Sequence, residues 1–437
     1  MHQWRPIIFE RIGSRAEQGP FTLWVTSKKE GLASFPAATA AAAFLLGAGL
    51  GSWVMRQLSG LEATRRLLAY LFRREVAKRA AATVADERFV PIDARTRAVF
   101  ERGVSPDAVL ADVAAAQIDR VAELASSPRP TLSIVVGERG LGKSMFLERV
   151  AAKLGRDKVR VMSCPEAGFE ALLGELAALA GDPKLRGHAL AEALRAKGPL
   201  VIALDDLQRL VVPAVNGLQD LDAFTTFARE VGGTVSWVAT IGSASWHYVT
   251  RARGDRVFFE QVVMIPRWTE DELGELIQGK CAEAEVQPSF DGLVVPRQSQ
   301  APLPDQGNRT EAGYYRLLWD FSKGNPAVAL RAFGESLFVG PDGNVVVRLF
   351  KTPPAEEIED LPLSILFVLR SVVQLEWADV REVEAATQLP TSDIEDAFRF
   401  CQTRGYLEPV GGGVRMAWTW YRTITTVLQR QHLLSSI

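Results

Sequence analysis

TLSIVVGERGLGKSMFLERV, residues 131–150, decides how the rest of this chain is read. Leu132, Ile134, Val135 and Val136 form a short apolar run, the pattern of a parallel strand buried on both faces. The run leads into GERGLGKS, which fits G-x-x-x-x-G-K-[ST] in full with Gly137, Glu138, Arg139, Gly140, Leu141, Gly142, Lys143 and Ser144. Residues 145–154 then read as an amphipathic helix. The order strand, glycine loop, helix is the context the motif needs. The glycines let backbone N–H groups turn inward around phosphate oxygens, and the helix N-terminus adds the positive end of its dipole. Lys143 is expected on the β- and γ-phosphates of a nucleotide, and the Ser144 hydroxyl on Mg²⁺.

PLVIALDDL, residues 199–207, supplies a second apolar strand that ends in two carboxylates. Asp205 is expected to hold Mg²⁺, directly or through water, and Asp206 to polarise the attacking water. Alone, the segment also reads as an acidic helix cap; its position after a phosphate loop favours the first reading. Further strands are expected at 159–164 (VRVMSC) and 234–240 (TVSWVAT), with helices at 168–179, 190–196 and 220–231. Strands alternating with helices imply an α/β fold with a doubly wound parallel sheet. Ligands in such sheets sit at the strands' carboxyl ends, where Lys143, Asp205 and Thr240 all fall.

The chain has 437 residues, 47% hydrophobic and 23% charged, with net charge −2. That length allows two or three domains, and that charge excludes a global basic field for nucleic acid. Cys164, Cys281 and Cys401 are far apart and the four histidines scattered, which argues against a structural zinc site or a disulfide framework.

On GERGLGKS, VIALDD, the strand ending at Thr240 and a later SKGNPAVALRAF (residues 322–333), the chain resembles the AAA+ and STAND branch of P-loop ATPases over roughly residues 110–338. The resemblance implies ATP and Mg²⁺ as cofactors and a homo-oligomer. It implies that Thr240, with Ser243 as fallback, is the sensor touching the γ-phosphate or attacking water. Gly324, Asn325 and Pro326 would bring a helical lid to the nucleotide base, and Arg331 is placed like a second sensor. One of Arg251, Arg253 and Arg256 would reach the γ-phosphate of a neighbouring subunit. Many AAA+ enzymes carry Asp-Glu where this chain has Asp205-Asp206. The departure points to the STAND or archaeal-type side and leaves open whether turnover is brisk or switch-like.

Thr269 and Glu272 form a capping box that opens the lid. Residues 286–313, dense in Pro, Gln, Gly and Ser, are expected to be an inserted loop. Helices at 363–373, 380–387 and 392–403, a hairpin through YLEPV, three glycines and VRMAWTWY, and a helix at 421–434 resemble a winged helix. Arg399, Arg404 and Arg415 are balanced there by Asp393, Glu395 and Asp396. Protein docking is therefore favoured over DNA binding.

Residues 37–55, AATAAAAFLLGAGLGSWVM, carry no charge and would make about 28 Å of helix, close to a bilayer core. Gly47 and Gly51 form G-x-x-x-G, where another helix can approach. Arg56, Arg65, Arg66, Arg73 and Arg74 follow, against Lys28 and Lys29 before. The positive-inside rule then puts Met1 outside and the nucleotide domain in the cytosol. A buried helix or an Ala-rich linker is the alternative. Residues 61–82 read as a basic juxtamembrane helix.

The expected organisation is 1–36, of unknown role; 37–58, a transmembrane helix; 59–109, a basic helical linker; 110–266, the ATPase core; 267–352, the lid; and 353–437, the winged helix. The leading expectation is a membrane-tethered AAA+/STAND-like ATPase, an oligomeric switch or motor acting on a protein partner. One alternative is a soluble DNA-associated ATPase of the initiator or transposition-regulator type. Another is a nucleotide-locked scaffold with negligible turnover.

Overall fold

The computed structural model describes residues 88–102, 113–127, 129, 131–253, 259–291, 293 and 306–435. All fall within Thr83–Ile437, the second of two compact units. The expected membrane span, the basic helix after it and Arg256 lie outside the described residues. Among the described residues no helix is long and apolar enough to cross a membrane.

The described chain enters through β1 (Val90–Pro91) and the helices Ala94–Glu101 and Ala115–Ala125. Then come β2 (Leu132–Gly137), the glycine loop and the helix Lys143–Leu154. β3 (Val159–Ser163), the helices Gly168–Ala180 and Gly187–Ala196, and β4 (Leu200–Asp205) follow. The helix Gln219–Val231, β5 (Val235–Gly242), the helix Ser243–Arg253 and β6 (Gln261–Met264) complete this part. The strands form one parallel five-stranded sheet in the order β3-β4-β5-β2-β6.

Successive side chains enter opposite cores. Leu132, Ile134 and Val136 join Ile202, Leu204 and Trp237 on one face. Val135 joins Val201, Ala203 and Val238 on the other, under Phe146, Leu147 and Val150. Both faces are covered, as the unbroken apolar runs require. Each such aliphatic side chain contributes about 1.5–3 kcal/mol on full burial, so the glycine loop stands on a rigid stem. Gly137 pairs with Gly242 and Ser163 with Asp205, which brings the carboxyl ends of the four strands to one edge.

Two bounds differ from expectation. The loop helix starts at Lys143, with Gly142 at φ 99° as its N-cap, so Lys143 and Ser144 lie in its first turn. β5 runs two residues beyond Thr240, because Ile241 and Gly242 still pair with Val136 and Gly137.

A helical part follows. The helix Glu270–Glu283 opens on the Thr269–Glu272 capping box. The helix Gln306–Ser322 begins inside the segment expected to be a loop; residues 294–305 lie outside the described residues. After the helix Pro326–Glu335, β7 (Leu337–Val339) and β8 (Val345–Val347) pair antiparallel, and β1 adds to the free edge of β7. The helix Ala94–Glu101 packs on Pro326–Glu335, with Phe100 and Phe333 ring centroids 5.5 Å apart. The expected linker at 59–109 therefore contains a packed helix and a strand. Two strand residues carry no periodicity to read.

The C-terminal part has the helices Leu363–Leu375, Val380–Thr387 and Thr391–Thr403. The hairpin of β9 (Leu407–Val410) and β10 (Gly413–Met416) and the helix Trp418–Arg430 close it. Leu366, Leu369, Val372, Ile394, Phe398 and Ile424 share its core. The expected second strand through MAWTWY is corrected. β10 stops at Met416, since Tyr421, Ile424, Val427 and Leu428 recur at helical spacing and are buried on one face. All three cysteines are buried and free.

Candidate nucleotide-binding site

The glycine loop turns through left-handed backbone at Gly140 (φ 85°) and Gly142 (φ 99°). A Cβ on Gly140 would lie 2.7 Å from both Ala327 Cβ and Trp418 Cη2. Only glycine allows that conformation and that approach together.

Beside the loop, the ends of β4 and β5 are wired to each other. The Thr240 hydroxyl donates to Asp205 Oδ1. The Asp206 backbone N–H lies 3.1 Å from both Thr240 Oγ1 and Asp205 Oδ1. Asp206 adopts left-handed backbone (φ 59°) despite its side chain, a conformation that costs free energy and persists only where its surroundings hold it. They do so through Gln208, whose amide donates to Asp206 Oδ1 at 2.7 Å and accepts from Gly242 N at 3.1 Å. Burial, then the neighbouring Asp205 and Glu376 carboxylates, push the Asp206 carboxyl above its ordinary range. Ser243, the fallback for Thr240, is buried at the start of its helix.

Lys143 meets a residue from far along the chain. Its Nζ lies 2.6 Å from Glu376 Oε1, with only 6% and 16% of the two side chains exposed. Glu376 ends the helix Leu363–Leu375 in left-handed backbone, φ 64°. A further unit negative charge within about 4 Å of that carboxylate would be repelled by about 4 kcal/mol at an effective dielectric of 20.

Two variable residues of the loop, Glu138 and Arg139, are also held from the C-terminal part. Arg422 grips Glu138 with two hydrogen bonds, at 2.9 and 3.3 Å, and donates to the Ser322 carbonyl at 2.7 Å. This planar fork is the strong form of a carboxylate contact. Arg139 donates to the Met416 carbonyl at 2.6 Å and lies over the Trp418 ring, 4.2 Å from its centroid. The Asn325 amide donates to the Arg139 carbonyl at 2.8 Å, while its oxygen accepts from Ala327 N and Val328 N to cap the helix that begins at Pro326. The Gly-Asn-Pro turn thus starts a helix and touches the loop at once.

Other expected residues stand further off. Arg331 lies 4.5 Å over Trp418 and donates to the Glu101 and Ala327 carbonyls. Burial, then Arg139, push its pKa down to about 10. Arg251 is exposed at the end of its helix, and Arg253 is ion-paired with Asp222 of its own chain. Among the described residues no three or more His, Cys, Asp or Glu side chains gather into a metal-binding group. Two clefts flank the loop. One is apolar, lined by Ala114, Ile118, Leu141, Met145, Ile265 and Trp268. The other, open and about 340 Å³, is lined by Arg139, Asp206, Gln208, Glu376 and Arg415 among others.

Glu376, Arg422, Trp418 and Gln208 were not foreseen from sequence. The first three reach the loop across more than 200 residues, and no local pattern marks them.

Residues 128–241 match the family model of the AAA domain. The matched span holds the glycine loop, both aspartates and Thr240, so this part of the chain is similar to the AAA type of P-loop domain. Similar solved structures include the ORC2 protein of Aeropyrum pernix in ADPNP–ADP complexes, at 12% identity over 79% of this chain and 99% of that chain, TM-score 0.36. The Walker-type ATPase paby2304 of Pyrococcus abyssi matches at 13% identity over 76% and 99%, TM-score 0.39. The ORC1 protein of Aeropyrum pernix in complex with DNA matches at 17% identity over 77% and 97%, TM-score 0.38. No curated protein matches the sequence of this chain.

Proposed function

We propose that this chain binds ATP with Mg²⁺ over the carboxyl ends of β2, β4 and β5 and hydrolyses it as an AAA-type switch. The carrying observation is the convergence of Lys143, Asp205, Asp206 and Thr240 at one end of one sheet. Lys143 neutralises the β- and γ-phosphates. The exposed Ser144 hydroxyl and the Asp205 carboxylate are oxygen donors suited to a hard cation that keeps several waters. Asp206, its carboxyl pushed above the ordinary range by burial, orients the attacking water, and Thr240 fixes the Asp205–Asp206 pair. Residues 267–352 act as the lid and 353–437 as a winged helix, on the strength of three helices, a hairpin and a closing helix. Lys143→Ala is expected to abolish binding of a labelled ATP analogue; unchanged affinity would refute the site.

Two finer readings divide on the partner. In one, the chain is a DNA-associated ATPase of the initiator or transposition-regulator kind. In the other, it is a membrane-tethered STAND-like switch on a protein partner. The first is the one to test first, because the tether rests on residues 37–55, outside the described residues. Arg399 is paired with Asp396 and Arg415 with Glu408, which engages two guanidinium groups that a phosphate backbone would use. Hydrolysis stimulated by duplex DNA at low salt supports the first reading. No stimulation, with the full chain retained in carbonate-washed membranes, supports the second. Absence of single-turnover hydrolysis would favour a scaffold over both.

A further inference from the structure

We propose that Glu376 is an internal anionic stopper on the phosphate loop, and that ATP binds by expelling it together with the C-terminal segment that carries it. The inference rests on the nucleotide reading of the loop given above. The contact itself is the first observation. Lys143 Nζ and Glu376 Oε1, 2.6 Å apart, make the charge-assisted bond that a phosphate oxygen would make with the same ammonium.

The surroundings are built to admit that carboxylate. A Cβ on Gly242 would lie 2.6 Å from Glu376 Oε1, so a side chain at the end of β5 would drive the carboxylate out. Glu376 holds left-handed backbone (φ 64°) at a helix end, where glycine would be at ease and glutamate is strained. Its neighbours are fixed to the strand ends. Ser245 Oγ donates to the Gln374 carbonyl at 2.5 Å. Arg209 donates to the Trp377 carbonyl at 3.2 Å and lies 4.6 Å over the Trp377 ring. Strain at Glu376 is thus balanced by contacts to the residues that follow β4 and β5.

A triphosphate adds several negative charges where Asp205, Asp206 and Glu376 already gather. Asp205 ends β4 and Asp206 follows it directly, and both are held there by Thr240 and Gln208. Glu376 stands on a separate part of the chain and is the carboxylate that can leave. Its departure frees Lys143 and pulls on residues 374–377, and with them the contacts to Ser245 and Arg209. The Arg422–Glu138 and Arg139–Met416 contacts cross the same boundary and loosen with it. ATP binding and release of the C-terminal part are then one event.

The test uses the full chain and a fluorescent ATP analogue. Glu376→Gln keeps the shape and removes the charge. Glu376→Gly removes the side chain and suits the backbone at φ 64°, which guards against a folding defect. Both are expected to bind at least about tenfold more tightly than wild type, since an ion-assisted hydrogen bond no longer has to be broken. Hydrogen exchange at residues 374–378 and 416–422 is expected to rise on adding ATP to wild type, and to be raised already in Glu376→Gln without it. Unchanged or weaker binding in both variants, or exchange unmoved by saturating ATP, would overturn the stopper while Lys143→Ala still abolishes binding. If Lys143→Ala binds as wild type does, the nucleotide reading of the loop fails, and the stopper with it.

Discussion

Asp206 is held in a conformation and a charge state that both oppose folding. Its backbone is left-handed, and burial raises its pKa in the folded protein. A carboxyl with a raised folded pKa adds stability that is fully present below its unfolded pKa and is lost as pH rises through the folded value. At neutral pH the ionised group therefore disfavours the fold. Asp206→Asn removes the charge and keeps an oxygen for Gln208. It is expected to melt at a higher temperature than wild type at pH 7, with the difference shrinking as pH falls and vanishing below about 4, the ordinary aspartate value. ATP binding should persist while hydrolysis falls by about 10²-fold or more, because the water loses its orienting base. Thermal scans across pH and phosphate release check the two halves separately. A melting temperature no higher than wild type at pH 7 would mean that the charge is compensated.

The Gly-Asn-Pro turn joins two elements through one side chain. Asn325 caps the helix Pro326–Glu335 with its oxygen and holds the Arg139 carbonyl with its nitrogen. Asn325→Ala is expected to cost about 1 kcal/mol of stability through the lost cap and to weaken ATP binding through the loosened loop. Asn325→Asp keeps the capping oxygens but has no donor for Arg139. Its urea-unfolding stability should fall less, while its nucleotide affinity falls as in the alanine variant; equal losses in both would remove the loop contact from the account. The same turn marks what was legible in the sequence. The cap and the Thr269–Glu272 box are settled within four residues, and the strands show because burial on both faces leaves an unbroken apolar run. Lys143, Asp205, Asp206 and Thr240 were legible because each follows such a run. Glu376, Trp418 and Arg422 were not, since their partners lie in another part of the chain. The start of the last helix at Trp418 was missed because VRMAWTWY carries strand-forming residues, and only the burial of Tyr421 and Ile424 against the C-terminal core decides for helix.

For the molecule as a whole, an ATPase that works between subunits needs a cation exposed at its rim. Arg251 is exposed at the end of the helix Ser243–Arg253, while Arg253 is engaged by Asp222 within its own chain. Arg251→Ala is expected to keep ATP binding and lose most hydrolysis. Mixing it with Asp206→Asn protein should restore part of the activity, because one intact composite site can form between unlike subunits. No rescue at any mixing ratio would count against a trans arginine here. The small sheet of β1, β7 and β8 has a different consequence at this scale, one for biosynthesis. Val90 pairs with Val339, about 250 residues later. A ribosome adding about 5–20 residues per second leaves β1 waiting roughly 12–50 s for its neighbour. Phe100 and Ile92, both buried in the finished fold, stay without their final cover for that interval. The nascent chain thus carries Ile92 and Phe100 uncovered until translation has passed through the whole sheet and the helices behind it.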